Sequence, residues 1–183
     1  MIIAITGRPG VGKSTVFNKV INALKIRGFT LYGFYCPEVR EGGARIGFRI
    51  VDISTGESGW LALAIDKASM LGYKVAGRRI GRYVVIEDEA SRIGINALTR
   101  STGSGKAILG VDEIGPMELS IPRLKREIIR KLSEVEKAMV VVHRNLSDTE
   151  IIEIFRRRNA KMYTVTEGNR DNLHSVLIND FIQ

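Results

Sequence analysis

Residues 1–15 read MIIAITGRPGVGKST, and this stretch decides the fold. Its first six residues are apolar or β-branched, which predicts a short strand covered on both faces. Residues 7–14 satisfy the pattern G-x-x-x-x-G-K-[ST] in full. A stripe of apolar residues at helical spacing then predicts a helix over residues 13–27, which Gly28 can end in the left-handed conformation. Strand, glycine-rich loop and helix in this order predict a phosphate-binding loop, the Walker A motif.

The chemistry of this loop follows from its residue types. Glycines allow backbone N–H groups to curl around an anion, and the helix directs the positive end of its dipole at the same point. Lys13 is predicted to reach the β- and γ-phosphate oxygens as a catalytic cation, and the Ser14 hydroxyl to bind Mg²⁺. The glycine spacing does not suit a dinucleotide, so the predicted ligand is a nucleoside triphosphate. The predicted nucleotide-binding residues here are Gly7, Arg8, Pro9, Gly10, Val11, Gly12, Lys13, Ser14 and Thr15.

Further along the chain, strand and helix patterns alternate. A β-rich middle is predicted, with strands at 29–36, 45–53 and 79–87, some of them antiparallel, and a helix at 89–98. After it come predicted strands at 107–112, 138–143 and 161–166, and predicted helices at 121–135, 148–158 and 171–182. The alternation predicts a three-layer α/β fold, with a mainly parallel sheet between helices. Ser147 and Glu150 have the spacing of a capping box, and residues 103–106, GSGK, are interpreted as a connecting loop.

Composition limits the class of protein. With 183 residues, 44% of them hydrophobic, the chain is predicted to form a single domain over residues 1–183 and not to be disordered. Its 28 Lys and Arg against 20 Asp and Glu give a net charge of +8. The one cysteine, Cys36, permits no intrachain disulfide, so a reducing, cytoplasmic location is expected. No apolar run is long enough for a membrane span or a signal peptide.

Two adjacent carboxylates follow the apolar strand predicted at 107–112. Asp112 is predicted to order the Mg²⁺ ligands beside the phosphate loop, as an acidic residue does at this position in P-loop enzymes. Glu113 projects differently and is predicted to orient the attacking water. The alternative is that the pair only caps the loop before Pro116. Glu118 is either close to the site or solvated.

The same segment resembles a known family. Residues 112–119, DEIGPMEL, are similar to the D-E-I-G-x-M-E-L signature of small P-loop nucleoside-triphosphatases of the thermophile-phosphohydrolase type, which include the cancer-related nucleoside-triphosphatase of vertebrates. The resemblance extends to the phosphate loop, Gly47-Phe48, residues 83–85 and residues 165–170. It implies a RecA-like fold and slow Mg²⁺-dependent hydrolysis of ATP, GTP and other nucleoside triphosphates, with loose base selectivity. Gly168 departs from the charged residue of relatives, which puts side-chain contacts at that position in doubt.

Three arginines and an asparagine are further candidates. Arg144 follows the strand predicted at 138–143, so it is the first candidate for a catalytic arginine that stabilises charge on the γ-phosphate; the alternative is a solvated loop charge. Arg8 can face the nucleotide or solvent. Asn169 and Arg170 follow the last predicted strand and can approach the base or ribose, although Asn169 is equally suited to cap a helix.

Two other functions use the same phosphate loop. A small-molecule or nucleotide kinase would exclude water and hold an acceptor in the β-rich middle. A nucleic-acid-associated ATPase switch would use the basic clusters, although these also read as solvated helix faces and helix ends, and specific nucleic-acid binding is not expected. Cys36 is either a small buried hydrophobe or a catalytic thiol. The sequence leaves the oligomeric state open.

Overall fold

The computed structural model describes residues 1–100 and 106–182, and within these ranges ten strands form one sheet. The strands are β1 (Ile2–Thr6), β2 (Thr30–Tyr35), β3 (Glu38–Glu41), β4 (Ala44–Asp52), β5 (Ser58–Ala64), β6 (Arg79–Ile80), β7 (Tyr83–Val85), β8 (Ala107–Ile114), β9 (Ala138–Val142) and β10 (Lys161–Thr164). The helices are α1 (Lys13–Ile26), α2 (Ile65–Met70), α3 (Glu87–Thr99), α4 (Pro116–Leu119), α5 (Pro122–Glu134), α6 (Thr149–Arg157) and α7 (Leu173–Ile182). None of these helices is long and apolar enough to cross a membrane.

The parallel half of the sheet has the strand order β10-β1-β9-β8-β2. Successive residues of β1 point to opposite faces, so that Ile3 and Ile5 pack with α1 and α7 while Ile2 and Ala4 pack in the larger cluster that includes α3, α5 and α6. Both faces of the central strands are therefore covered, as their continuous apolar runs predict. The predicted three-layer α/β arrangement is confirmed.

The antiparallel half continues the same sheet from β2 through β4, β5, β7 and β6, with β3 paired to β4. This is the predicted β-rich insertion. The single strand predicted at 79–87 is wrong, because a turn with Gly81 at φ +58° separates β6 from β7 and the acidic residues from Glu87 onward begin α3. Strand β5 was not predicted, since its apolar run SGWLALA lacks the alternation of a half-exposed strand.

Two helix-end predictions have different outcomes. Gly28 has φ +82° directly after the C-cap of α1, so its predicted left-handed conformation is confirmed. The capping box predicted from Ser147 is wrong, because Asp148 is the N-cap of α6 and its carboxylate accepts a hydrogen bond from the Ile151 N–H at 3.2 Å. Of the connecting loop predicted at 103–106, residues 103–105 lie outside the described residues.

Candidate active site

The loop between β1 and α1 has the geometry of an anion cradle. Gly10 and Gly12 have φ values of +75° and +108°, which side-chain-bearing residues rarely adopt. The Lys13 ammonium donates hydrogen bonds to the carbonyl oxygens of Gly7 and Arg8, each at 3.2 Å, so the lysine folds back over the loop. In the described part of the chain no side chain caps the first turn of α1. The N-terminal N–H groups of this helix therefore remain free to bind an anion.

The segment after β10 packs against this loop. The Val165 N–H donates to the Thr6 carbonyl at 2.7 Å, and a Cβ added at Gly12 would lie 3.6 Å from Cδ of Arg170. The Arg170 stem is thus beside the phosphate loop. The Asn169 amide accepts a hydrogen bond from the Thr166 N–H at 2.8 Å and donates to the Thr164 carbonyl at 2.9 Å, so it holds its own turn together. A contact between either residue and a base or ribose stays a prediction.

Asp112 and Glu113 lie near the end of β8, where the pairing with β9 becomes irregular. The peptide bond that joins them is cis. Asp112 is 8% exposed, and its carboxyl group forms a hydrogen bond with the Ser14 side chain. Burial raises the pKa of Asp112 to about 6, with a further upward contribution from Glu113, against the hydrogen bond to Ser14 and the charge of Lys13.

This Ser14 and Asp112 pair is the arrangement that the sequence predicts for magnesium binding. Mg²⁺ prefers oxygen ligands and is usually bound by one or two carboxylates together with substrate phosphates and water. A hydroxyl group and a carboxyl group in contact at the mouth of a phosphate loop fit that ligand set. The structure therefore brings the two predicted metal ligands together, while metal binding itself stays a prediction.

A second buried carboxyl group approaches Glu113. Glu118 is 4% exposed and accepts a hydrogen bond from the Gly115 N–H at 3.1 Å. A Cβ added at Gly115 would lie 2.8 Å from Oε1 of Glu113 and 3.2 Å from Oε2 of Glu118. Both carboxyl groups can therefore approach the backbone of residue 115 this closely only because it is glycine. Burial and the nearby Glu113 raise the pKa of Glu118 to about 8. Glu118 is thus mostly a neutral acid at pH 7, and it is not solvated.

Cys36 lies next to these carboxyl groups. Its N–H donates to the Asp112 carbonyl at 2.6 Å, and its thiol forms a hydrogen bond with Glu118. Burial and the neighbouring carboxylates raise the pKa of the Cys36 thiol well above its ordinary value. Because the thiolate is the reactive form, this environment makes Cys36 a poor nucleophile and favours its interpretation as a packing residue.

One cavity of about 770 Å³ joins these groups. The phosphate loop lines one end, Asp112 and Glu113 line the middle, and Arg144 contributes to the wall with an exposed side chain. Arg8 is exposed and lies outside the lining. The antiparallel insertion lines the other end through residues that the sequence did not single out as a site. Among these lining residues, Phe48 was named in the sequence analysis as part of the motif Gly47-Phe48, which came from the family resemblance.

Comparison with known proteins shows the family of this chain. A family model described as NTPase matches residues 2–178. Nucleoside-triphosphatase THEP1 of Saccharolobus solfataricus is 40% identical over 178 residues, which cover 97% of this chain and 90% of that protein. The protein of the same name from Methanopyrus kandleri is 36% identical, with 99% and 95% covered.

Two solved structures are similar in fold. THEP1 from the hyperthermophile Aquifex aeolicus superposes with a TM-score of 0.82 at 24% identity, with all of both chains covered. A human cancer-related nucleoside triphosphatase superposes with a TM-score of 0.77 at 30% identity, with 98% of this chain and 96% of that chain covered. The chain therefore shares its overall fold with these two structures.

Proposed function

The chain belongs to the NTPase family, and we propose that it hydrolyses nucleoside triphosphates to nucleoside diphosphate and phosphate, with Mg²⁺ and with loose selectivity for the base. One observation carries this proposal most directly. The phosphate loop at the start of α1 and the carboxylates Asp112 and Glu113 at the end of β8 line the same cavity, and the Ser14 side chain interacts with Asp112. A phosphate group held by the loop is then next to a carboxylate that can act on water.

The loop residues 7–15 bind the phosphates. Their backbone N–H groups and the free N-terminus of α1 attract anions, and phosphate oxygens offer Lys13 stronger partners than the two neutral carbonyl groups that it contacts. Lys13 then neutralises the charge that develops on the β- and γ-phosphate oxygens as the terminal bond breaks. Arg144 is on the cavity wall and is our candidate for additional charge stabilisation.

Ser14 and Asp112 would hold the magnesium ion, which when bound neutralises phosphate charge. With a pKa of about 6, Asp112 is mostly ionised at pH 7 and can act as a ligand. Glu113 accepts a hydrogen bond from the attacking water and takes its proton. Glu118, a neutral acid at pH 7, adds no second negative charge beside Glu113.

Loose base selectivity is supported by what the described site residues recognise. The loop binds phosphates, which all nucleoside triphosphates share, and the Asn169 amide is engaged in its own turn. We also propose a cytoplasmic location, because the chain has one cysteine and that thiol is partly buried.

The experiment measures phosphate release from ATP, GTP, CTP and UTP, with Mg²⁺ or with EDTA, and without any alcohol, nucleoside or nucleic acid. We expect all four to be hydrolysed at rates within about tenfold of one another, and EDTA to abolish release. Nucleotide binding without phosphate release would favour the kinase alternative, in which water is not the acceptor. A large, salt-sensitive stimulation by RNA would favour the nucleic-acid switch.

A further inference from the structure

The cavity contains more space than the phosphate loop and its carboxylates explain. Its far end, which we call the distal compartment, is lined by Arg40, Arg45, Phe48, Leu61 and Ile80 of the antiparallel insertion. Leu61 is 1% exposed, and Phe48 and Ile80 are partly buried and pack against the same hydrophobic cluster. The compartment therefore combines an apolar floor with two guanidinium groups.

Strand spacing shows how far this compartment is from the phosphate loop. Phe48 is on β4 and Leu61 on β5, two and three strands beyond β8 in the sheet order. At about 4.8 Å for each step, β4 and β5 are roughly 10 and 14 Å from the strand that carries Asp112. The turn containing Arg170 follows β10, on the opposite side of β1. A nucleotide with its phosphates on the loop and its base toward Arg170 would leave the distal compartment open.

The charges of the compartment fit an anion. Glu38 forms ion pairs with Arg40 and with Arg45, each at 2.6 Å, so one carboxylate faces two guanidinium groups. The Arg45 guanidinium lies 5.5 Å above the Phe48 ring, and its Nε faces the Glu38 carboxylate. In the described part of the chain its terminal nitrogens donate to no protein group, so they are available to a ligand. Two guanidinium groups facing one carboxylate leave an excess of positive charge beside an apolar surface, which suits an anion with an apolar body.

We propose that the distal compartment binds a second small molecule, an organic anion with an apolar ring, while the phosphate loop holds the nucleotide. This inference rests on the proposed function in one respect, namely that the nucleotide occupies the phosphate loop. The apolar ring packs on Phe48, Leu61 and Ile80, and the anionic group binds Arg45 with Arg40 close by. The occupant is therefore held in the same cavity as Glu113 and the attacking water.

The test uses the full chain with Mg²⁺ and a non-hydrolysable ATP analogue, so that the phosphate loop is filled. Phenyl phosphate is the probe, and NMR signals of the Leu61 and Ile80 methyl groups report its binding. We expect saturable shifts of these methyl signals below about 10 mM probe, with benzyl alcohol and inorganic phosphate each binding at least about tenfold more weakly. Benzoate, as a second probe, distinguishes a carboxylate from a phosphate head group, and binding of either supports the proposal.

A matched pair of variants separates recognition from general charge. Arg45→Gln should weaken phenyl phosphate binding about tenfold or more, because it removes a charge-assisted hydrogen bond. Arg78→Gln removes the same charge from an exposed position in the insertion that does not line the cavity, and should change the affinity less than about twofold. Equal losses in both variants would overturn the proposal, as would an absence of shifts at Leu61 and Ile80.

Two controls keep this proposal separate from the hydrolase assignment. If the ATP analogue itself shifts the Leu61 and Ile80 methyl signals and phenyl phosphate competes with it, the compartment holds the nucleoside and the proposal is wrong. In Lys13→Ala, phenyl phosphate should still bind, because the substitution leaves the distal compartment intact. Loss of hydrolysis therefore does not by itself affect the outcome of the binding test.

Discussion

The two ends of the cavity are built in different ways. At the phosphate end, backbone groups of one continuous stretch, residues 7–15, make the cradle, and the neighbouring carboxylates come from one strand end. At the distal end, side chains from several antiparallel strands meet on a surface. A backbone cradle needs glycines at fixed spacing and is therefore visible in the sequence. A side-chain pocket depends on register between strands, which no short motif records.

The largest effect is expected from Lys13→Ala, which affects only the phosphate end. Removing the ammonium leaves the developing charge on the γ-phosphate without its cation, so turnover should fall about 10³-fold. Initial rates of phosphate release at saturating ATP measure this. Lys19→Ala is the matched control, since Lys19 is an exposed lysine of the same helix. A loss of less than tenfold in Lys13→Ala would mean that the loop lysine is not part of the machinery.

A smaller effect is expected from Gly115→Ala, which tests how closely Glu113 and Glu118 pack against this glycine. The added Cβ would lie 2.8 Å from Glu113 Oε1 and 3.2 Å from Glu118 Oε2, so at least one carboxyl group must move. We expect kcat to fall about 10- to 100-fold with little change in KM for ATP. The control is Gly168→Ala, where the nearest described atom outside the chain neighbours is the Thr166 hydroxyl oxygen at 3.9 Å. Equal kcat values for both variants would contradict the close approach of the carboxyl groups.

The smallest effect on activity at pH 7 is expected from Glu118→Gln. Because the pKa of Glu118 is about 8, the neutral acid dominates at pH 7 and glutamine imitates it, so kcat should stay within about threefold of wild type. Above pH 8, Glu118 ionises beside Glu113 in the wild-type protein. The kcat of the wild type should therefore fall relative to that of the variant. Rates measured from pH 6 to 9 check this. Parallel pH profiles for the two proteins would contradict the claim that ionisation of Glu118 affects catalysis by Glu113.

The same carboxyl group links stability to pH. Its pKa is raised from about 4.5 in the unfolded chain to about 8 in the folded protein, so the folded state binds the extra proton between these values. The contribution of Glu118 to the free energy of unfolding therefore falls as the pH rises from about 4.5 to 8. Denaturant unfolding of wild type and Glu118→Gln at pH 5 and pH 8, without metal or nucleotide, should show the variant relatively more stable at pH 8. An unchanged difference between the proteins would contradict the raised pKa.

Sequence reasoning reached the phosphate end because the chemistry there is local. The proximity of Ser14 and Asp112 was predictable because, in P-loop enzymes, an acidic residue at the end of such a strand lies beside the phosphate loop. Sequence reasoning did not predict the contact of Cys36 with Glu118, because their proximity depends on how β2 pairs with β8. It missed the split of residues 79–87, because a two-residue turn inside an apolar pattern is a weak signal.

The distal compartment was outside the reach of sequence reasoning for a related reason. Arg45 and Phe48 are three residues apart on β4, but Leu61 and Ile80 reach the same cavity only through the antiparallel order β4-β5-β7-β6. The β-rich character of this region was predictable, since aromatic and β-branched residues are enriched there. Which of its side chains face the cavity depends on register, and bulges in the β3-β4 and β4-β5 pairs shift that register.

The most direct test of the account is Glu113→Gln, with binding and hydrolysis measured on the same protein. Glutamine keeps the size of the side chain but cannot take a proton from water. We predict that affinity for a fluorescent ATP analogue with Mg²⁺ changes less than about threefold, while single-turnover phosphate release slows about 10²-fold or more. Release at the wild-type rate would contradict the central claim that the carboxylate at the end of β8 activates the water.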